Sequence, residues 1–251
     1  MFPFLKKKRF LKDQLVDFVD IHNHLLPGID DGAATVDDSI ALIRRFGEIG
    51  VDKFIATPHI MNDYYPNTPK TINNALSVLK DRLQEEGLGN VKIKAAAEYM
   101  MDHSFIEILE GQKLLTLKDN LVLVEMSYFQ APINLNEILF QLQTSSYKPL
   151  LAHPERYVFF HSKKLEKYKE LKERGCLFQL NLLSITGHYG KNIQDIAFKL
   201  IDAHLIDYIG SDLHQQRHLD KLWQAKLEQK KIDQLRLIFK KTKETFSQSF
   251  I

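Results

Sequence analysis

Five histidines and four carboxylates fall at positions from which they could share a metal centre. The pairs His22-x-His24 and Asp212-x-His214 each put two candidate ligands at i and i+2, the spacing at which side chains of an extended segment point the same way. His59, Glu98, Glu125 and His153 stand singly at the ends of short apolar runs. Asp31 lies beside Asp30 in the loop Leu26-Pro27-Gly28-Ile29-Asp30-Asp31-Gly32, whose Gly and Pro residues allow a tight path back over the end of the first run. Neutral imidazoles mixed with carboxylates suit zinc, manganese or iron better than a soft copper site or an all-oxygen calcium site. Nine ligands exceed what one tetrahedral ion takes, so two or three ions sharing a bridging carboxylate and a bridging water are expected. The chemistry such a centre offers is hydrolysis, because cations lower the pKa of bound water and make hydroxide available at neutral pH.

Positioning ligands spread over nearly 200 residues requires elements that all end on one face. Seven short β-prone runs recur, at 17–22, 53–57, 91–98, 121–126, 149–153, 177–181 and 207–211, and candidate ligands stand at the ends of six. Helical patterns lie between them, near 36–49, 69–86, 103–110, 134–146, 162–174 and 191–204, with one or two further helices over 219–247. Thr35-x-x-Asp38 reads as a capping box opening the first helix, and Gly50 marks its end. Such alternation means parallel strands with crossover helices. Seven βα units over 251 residues predict an α/β protein with a closed or distorted barrel, whose strand ends share the face where active sites of this architecture sit.

Composition narrows the class. Apolar residues make up 44% and charged residues 26%, near the globular average, and no stretch is long enough for a membrane helix or a secretory leader. A net charge of +2, from 34 basic and 32 acidic residues, is too balanced for a surface that tracks nucleic acid. Residues 1–16 read as a basic N-terminal extension, and 17–251 as a single barrel with C-terminal helices. The cluster Lys6–Arg9 could make a weak contact with an anionic membrane surface, although a solvated terminus is the simpler expectation. One cysteine, Cys176, fits a reducing, cytoplasmic location. Cysteine-based phosphate chemistry needs an arginine six positions after the thiol, where Leu182 stands, so Cys176 reads as an inert core residue. The remaining histidines, His103, His161, His188, His204 and His218, fall on predicted helices or loops and read as structural or surface residues, His218 nearest the site. Tyr64 and Tyr65 could stack on a substrate ring or pack their own loop. The loop 184–190 follows the one run without a ligand and could line an entrance or simply connect.

The segments DIHNHLLPGIDDGA, ATPH, AAAEYM, LVEMS, LAHPERY and SDLH, spanning residues 20 to 214, resemble the PHP (polymerase and histidinol phosphatase) metallohydrolase superfamily. HNHLLPGIDDG is similar more narrowly to its bacterial protein-tyrosine phosphatase branch, which accompanies capsule and exopolysaccharide loci. The resemblance implies a distorted (β/α)7 TIM-like barrel holding three divalent ions, with Mn²⁺ as the usual activator and Fe, Zn, Co or Mg as alternatives. It implies that His22, His24, Glu98 and Asp212 hold the first ion and that Glu98 bridges to a second on Glu125 and His153. Asp31, His59 and His214 would hold the third. Arg156 matches an arginine used near the phosphate; Arg217 is the candidate for a second, at a spacing shorter than the family's. The implied function is phosphotyrosine hydrolysis by metal-bridged hydroxide, with a bacterial tyrosine kinase that regulates polysaccharide synthesis as substrate through its tail. The alternatives are a small-molecule phosphoesterase such as a histidinol-phosphate phosphatase, and a non-catalytic, metal-stabilised regulatory module.

Overall fold

The computed structural model describes residues 8–250. Its core is a parallel barrel built from β2 (Val19–Asp20), β3 (Lys53–Ala56), β4 (His59–Ile60), β5 (Lys92–Ala95), β6 (Glu98–Met100), β7 (Leu121–Glu125), β8 (Lys148–Ala152), β9 (Leu177–Asn181) and β10 (Tyr208–Gly210). One sheet runs β10-β9-β8-β7-β6-β4 and a second β2-β3-β5, all neighbours parallel. The run expected as one strand over 91–98 is divided into β5 and β6 by Ala96-Ala97, and the run 53–57 forms β3 and is followed, after Thr57-Pro58, by a further short strand, β4. Proline has no N–H to give a ladder, so the strand bends there and resumes with His59 opposite Glu98.

The barrel closes between its first and last strands. Asn23 bridges Leu213 in parallel, with the Asp212 N–H donating to His22 O at 2.8 Å and the His24 N–H to Leu213 O at 2.9 Å. Seven strand units therefore make a complete, distorted circle, as the sequence predicts. Alternation along β7 divides two cores: Leu121 and Leu123 face a small interior cluster with Val19, Ile21, Ile55 and Leu150, while Val122 and Val124 face the helices. Glu125 continues the Leu121–Leu123 series, which directs its carboxylate inward.

The crossover helices are α1 (Val36–Gly47), α2 (Pro69–Glu85), α3 (Phe105–Gly111), α4 (Leu135–Thr144), α5 (Glu166–Glu173), the short α6 (Leu182–Thr186) and α7 (Lys191–Asp202). The predicted capping box on α1 is present, Thr35 and Asp38 exchanging both bonds, and Thr68 with Thr71 repeats it on α2 with Pro69 in the first turn. After the barrel come α8 (Gln216–Gln224) and α9 (Gln229–Phe246), and Phe246 plugs the interior cluster.

The N-terminal segment differs from its reading as a solvated extension. Strand β1 (Lys8–Phe10) pairs antiparallel with β11 (Lys226–Glu228), which interrupts the C-terminal helices, and Leu11 and Leu15 are fully buried. The physical reason is that two leucines four apart dock among residues that are otherwise polar, too sparse a pattern to register as a core element. The packed fold thus reaches back beyond residue 16. Lys6 and Lys7 lie outside the described residues; Lys8 and Arg9 are exposed. Among the described residues no helix is long and apolar enough to cross a membrane.

Leu15→Ala should cost about 2–5 kcal/mol, the range for emptying a buried leucine site, measured by urea unfolding. At the seam, a Cβ on Gly210 would lie 2.6 Å from His22 Cβ, whereas one on Gly47 would meet nothing within 4 Å. Gly210→Ala is therefore expected to destabilise by about 1–3 kcal/mol, and Gly47→Ala to leave stability unchanged or raise it by up to about 1 kcal/mol.

Candidate metal centre

All nine residues singled out by type and spacing meet at the C-terminal mouth of the barrel. His22 and His24 lie just past the two residues of β2, Glu98 opens β6, and Glu125 ends β7. His153 follows β8 and Asp212 lies two residues past β10, both with left-handed backbone, φ 35° and 53°. That conformation costs about 1–3 kcal/mol outside glycine and is best tolerated by His, Asp and Asn. It turns the chain sharply out of the strand at both positions.

The ligand atoms fall into four overlapping groups, each with all its atoms within 4.8 Å of one another: His22, His24 and Asp212; His22, Glu98 and His153; His59, Glu98 and Glu125; and His24, Asp31, His59 and His214. Glu98 sits at the middle. Its Oε2 is 3.1 Å from His22 Nε2 and 3.3 Å from His59 Nδ1, and its Oε1 is 3.0 Å from His153 Nε2. Asp31 Oδ1 lies 3.4 Å from His59 Nε2 and 3.3 Å from His214 Nε2. Its neighbour Asp30 turns the other way and holds His24 Nδ1 at 2.8 Å from behind, leaving His24 Nε2 facing Glu98 and Asp212.

Electrostatically this is a cation-seeking cavity. Burial alone would raise Glu98 and Asp212, but the surrounding imidazoles, His22 above all, hold both well below the usual carboxylate range. Burial would lower His24 and His59, yet Asp30 beside the one and Glu125 beside the other draw both well above the ordinary imidazole value. His153 is lowered, by burial and with Arg156 near it. The donor set fits divalent ions on an independent observation. His24 Nε2, His59 Nδ1 and Glu125 Oε1 face the cluster and are buried without a hydrogen-bond partner. His59 Nδ1 and Glu125 Oε1 lie 2.8 Å apart without the geometry of a hydrogen bond. Buried polar atoms are normally satisfied, and here a cation would satisfy them.

Several supporting residues were not legible as ligands. The sixth strand, which offered none in sequence, supplies Gln179, whose Oε1 is 2.6 Å from His22 Nδ1, and Asn181, whose amide donates to Asp212 Oδ2 at 2.6 Å. Polar residues two apart inside the run Leu-Phe-Gln-Leu-Asn are the signal that could have found them. Asp20 accepts from the Ser211 N–H and hydroxyl at 2.9 and 2.6 Å across the seam, and burial pushes it up to about 6. Glu155, raised to about 7 by burial, accepts the Asn181 N–H at 3.0 Å. Such outer contacts fix which imidazole nitrogen faces a metal.

Arg156 and Arg217 fare differently. The Arg156 guanidinium is sandwiched between Tyr128 and Tyr189, 4.3 and 4.1 Å from their ring centroids, and donates to Asp212 Oδ2 at 3.0 Å. Arg217 is exposed on the cavity wall, with no hydrogen bond or ion pair among the described residues. The cavity, about 700 Å³, is also lined by His188 and His218, so both belong to the site region rather than to remote structure. Burial lowers His218 to about 4. Tyr65 stacks on His59 with centroids 5.6 Å apart, and loop 184–190 forms α6 and then brings His188 and Tyr189 to the cavity.

The chain is similar to known tyrosine-protein phosphatases. The tyrosine-protein phosphatase YwqE of Bacillus subtilis is 32% identical over 197 residues, covering 78% of this chain and 77% of that protein. The tyrosine-protein phosphatase CpsB of Streptococcus pneumoniae is 26% identical over 204 residues, covering 78% and 82%. A chain from the crystal structures of YwqE and Streptococcus pneumoniae CpsB, described as metal-dependent tyrosine phosphatases, superposes with a TM-score of 0.71 at 30% identity, covering 81% of this chain and 84% of that one. The sequence model of the family described as capsular polysaccharide synthesis, CpsB/CapC, matches residues 18–235, which contain every strand of the barrel and all nine clustered side chains. The chain belongs to the CpsB/CapC family.

Proposed function

We propose that this chain is a metal-dependent protein-tyrosine phosphatase whose divalent ions, manganese foremost, are held by His22, His24, Asp31, His59, Glu98, Glu125, His153, Asp212 and His214. The observation that carries this reading is that Glu98, a carboxylate, is common to two ligand groups within a set of nine donors, more than one ion takes. Shared ligands are what a centre of more than one ion requires. Glu98 is the natural bridge, since its two oxygens meet different imidazoles.

When bound, the ions supply Lewis-acid stabilisation of phosphoryl oxygens and a water of lowered pKa. The chain's own residues do the rest. Arg156, held flat between two tyrosines, presents a planar fork suited to phosphoryl oxygens, and its bond to Asp212 fixes its reach. Arg217 and His188 add donors on the same wall. Tyr64 and Tyr65 offer faces for an aryl ring. A phenolate leaving group, with a reference pKa of about 10, needs less protonation than an alkoxide, which favours aryl phosphates. Cys176 takes no part: burial pushes its thiol up to about 12, and it is packed in the core.

The proposed substrate is phosphotyrosine in the tail of a bacterial tyrosine kinase governing capsule or exopolysaccharide synthesis, and the proposed location is the cytoplasm, where such phosphorylation occurs. The cavity of about 700 Å³ that opens over the ligand groups favours a catalytic centre over a metal-stabilised module, since purely structural sites close their coordination.

Purified protein loaded with Mn²⁺ is expected to hydrolyse p-nitrophenyl phosphate and a phosphotyrosyl peptide, to lose both activities in EDTA and to regain them on adding Mn²⁺. Failure on both substrates would overturn the proposal, and a higher kcat/KM on histidinol phosphate than on the peptide would favour the small-molecule alternative. His153→Ala should reduce kcat by at least about a hundredfold with the circular dichroism spectrum retained, whereas Cys176→Ala should keep kcat within about twofold. Unchanged turnover in His153→Ala would dismiss the site.

A further inference from the structure

Strand order divides the cavity wall into two halves. Over β4, β6 and β7 it is lined mainly by Met61, Tyr64, Tyr65, Met100, Tyr128 and Phe129, with Asp63 and Asp102 as acidic neighbours and no Lys or Arg among the described residues. Over β8, β9 and β10 it carries Arg156, His188, Arg217 and His218. A phosphoryl group belongs on the cationic half, so the remainder of a substrate leaves over the apolar one.

The apolar half continues outside the cavity. Beneath the surface, the wall residue Tyr128 stacks on the fully buried Tyr157 at 5.9 Å between centroids, and Tyr157 supports Phe159 at 5.8 Å. Phe129 and Ile133 stand almost wholly in water, at 94% and 102% relative exposure, and Val158 is 61% exposed. They sit on the loops after β7 and β8, which are paired neighbours, so the two loops emerge side by side. Neither 126–134, Met-Ser-Tyr-Phe-Gln-Ala-Pro-Ile-Asn, nor 157–160, Tyr-Val-Phe-Phe, contains a charged residue. Large side chains exposed together beside a polar cavity mark a contact surface rather than ordinary surface scatter. At about 700 Å³ the cavity has the volume of a complete ligand site, more than a lone phosphoryl group fills.

We propose that Phe129, Ile133, Val158 and Phe159 form a specificity lip that binds apolar side chains flanking the phosphotyrosine of a polypeptide substrate, an assignment that rests on the phosphotyrosine reading above. The lip is continuous with the cavity through Phe129, which lines the cavity and stands in water, and its lack of charge matches apolar rather than acidic or basic neighbours. It makes the enzyme selective for sequence context, with the lip acting on KM and the centre on kcat.

The test compares the Mn²⁺-loaded full chain with an Ile133→Ser/Phe159→Ser variant, two exposed positions outside the cavity wall, on p-nitrophenyl phosphate and on two phosphotyrosyl peptides of equal length. One peptide carries Leu and Phe beside the phosphotyrosine, the other Gly and Ser. The unaltered chain should prefer the apolar peptide by about tenfold in kcat/KM, through KM, as expected for burying one or two apolar side chains. The variant should lose that preference, while its p-nitrophenyl phosphate kinetics and melting temperature match the parent. Equal kcat/KM on the two peptides in the parent, or a preference retained by the variant, overturns the lip. So does a variant whose only change is a smaller oligomer in light scattering, which assigns these side chains to contact between copies of the chain. Absence of hydrolysis of any substrate by the parent is a separate result, against the phosphatase reading itself.

Discussion

Three carboxylates with almost no solvent access, Glu98, Glu125 and Asp212, share one small volume with five imidazoles, and the architecture of the barrel mouth follows from keeping that charge compensated. An unpaired buried carboxylate is expensive enough that it would take up a proton or disrupt its surroundings. Here the imidazoles hold Glu98 and Asp212 ionised despite burial, and one guanidinium, Arg156, sits against Asp212. The same attractions draw His24 and His59 well above the ordinary imidazole value. Glu98 takes up His22 and His153 as hydrogen-bond partners, while His24 Nε2, His59 Nδ1 and Glu125 Oε1 in the same cluster have none.

Holding the cluster requires the closing seam between β2 and β10. Backbone bonds from Asp212 to His22 and from His24 to Leu213, with the Asp20–Ser211 contacts beneath them, tie the first and last ligand-bearing strands together. Gly210 is small because His22 occupies the space a side chain would need. Gln179 and Asn181, from the neighbouring strand, then aim His22 and Asp212. Precision at the site therefore depends on residues that are neither metal-ligand candidates nor conspicuous in sequence.

Much of this was legible beforehand. The seven βα units, the helix starting at the Thr35–Asp38 box and the nine clustered residues follow from period-two and capping patterns, because those patterns reflect local backbone geometry. What was misread depended on distant partners. The β1–β11 pair joins residues 218 apart in register, Arg9 to Leu227, and neither segment has a strand pattern of its own. His188 and His218 looked incidental because their loops reach the cavity only once β9 and β10 lie side by side.

By itself, then, the sequence determined the chemistry on offer: residue types fixed a mixed nitrogen and oxygen donor set, and alternation put those residues at strand ends. Tertiary structure alone decided which carboxylate of Asp30-Asp31 faces the cluster. Asp30, its side chain buried behind the ligands, accepts from His24 Nδ1 and the His59 N–H, which leaves Asp31 toward His59 and His214. It also decided that Arg156 is clamped between tyrosines while Arg217 stays in water, since that distinction rests on side chains from three separate strands meeting at one point. Local patterns specify what a residue can do; only closure of the barrel specifies what it faces.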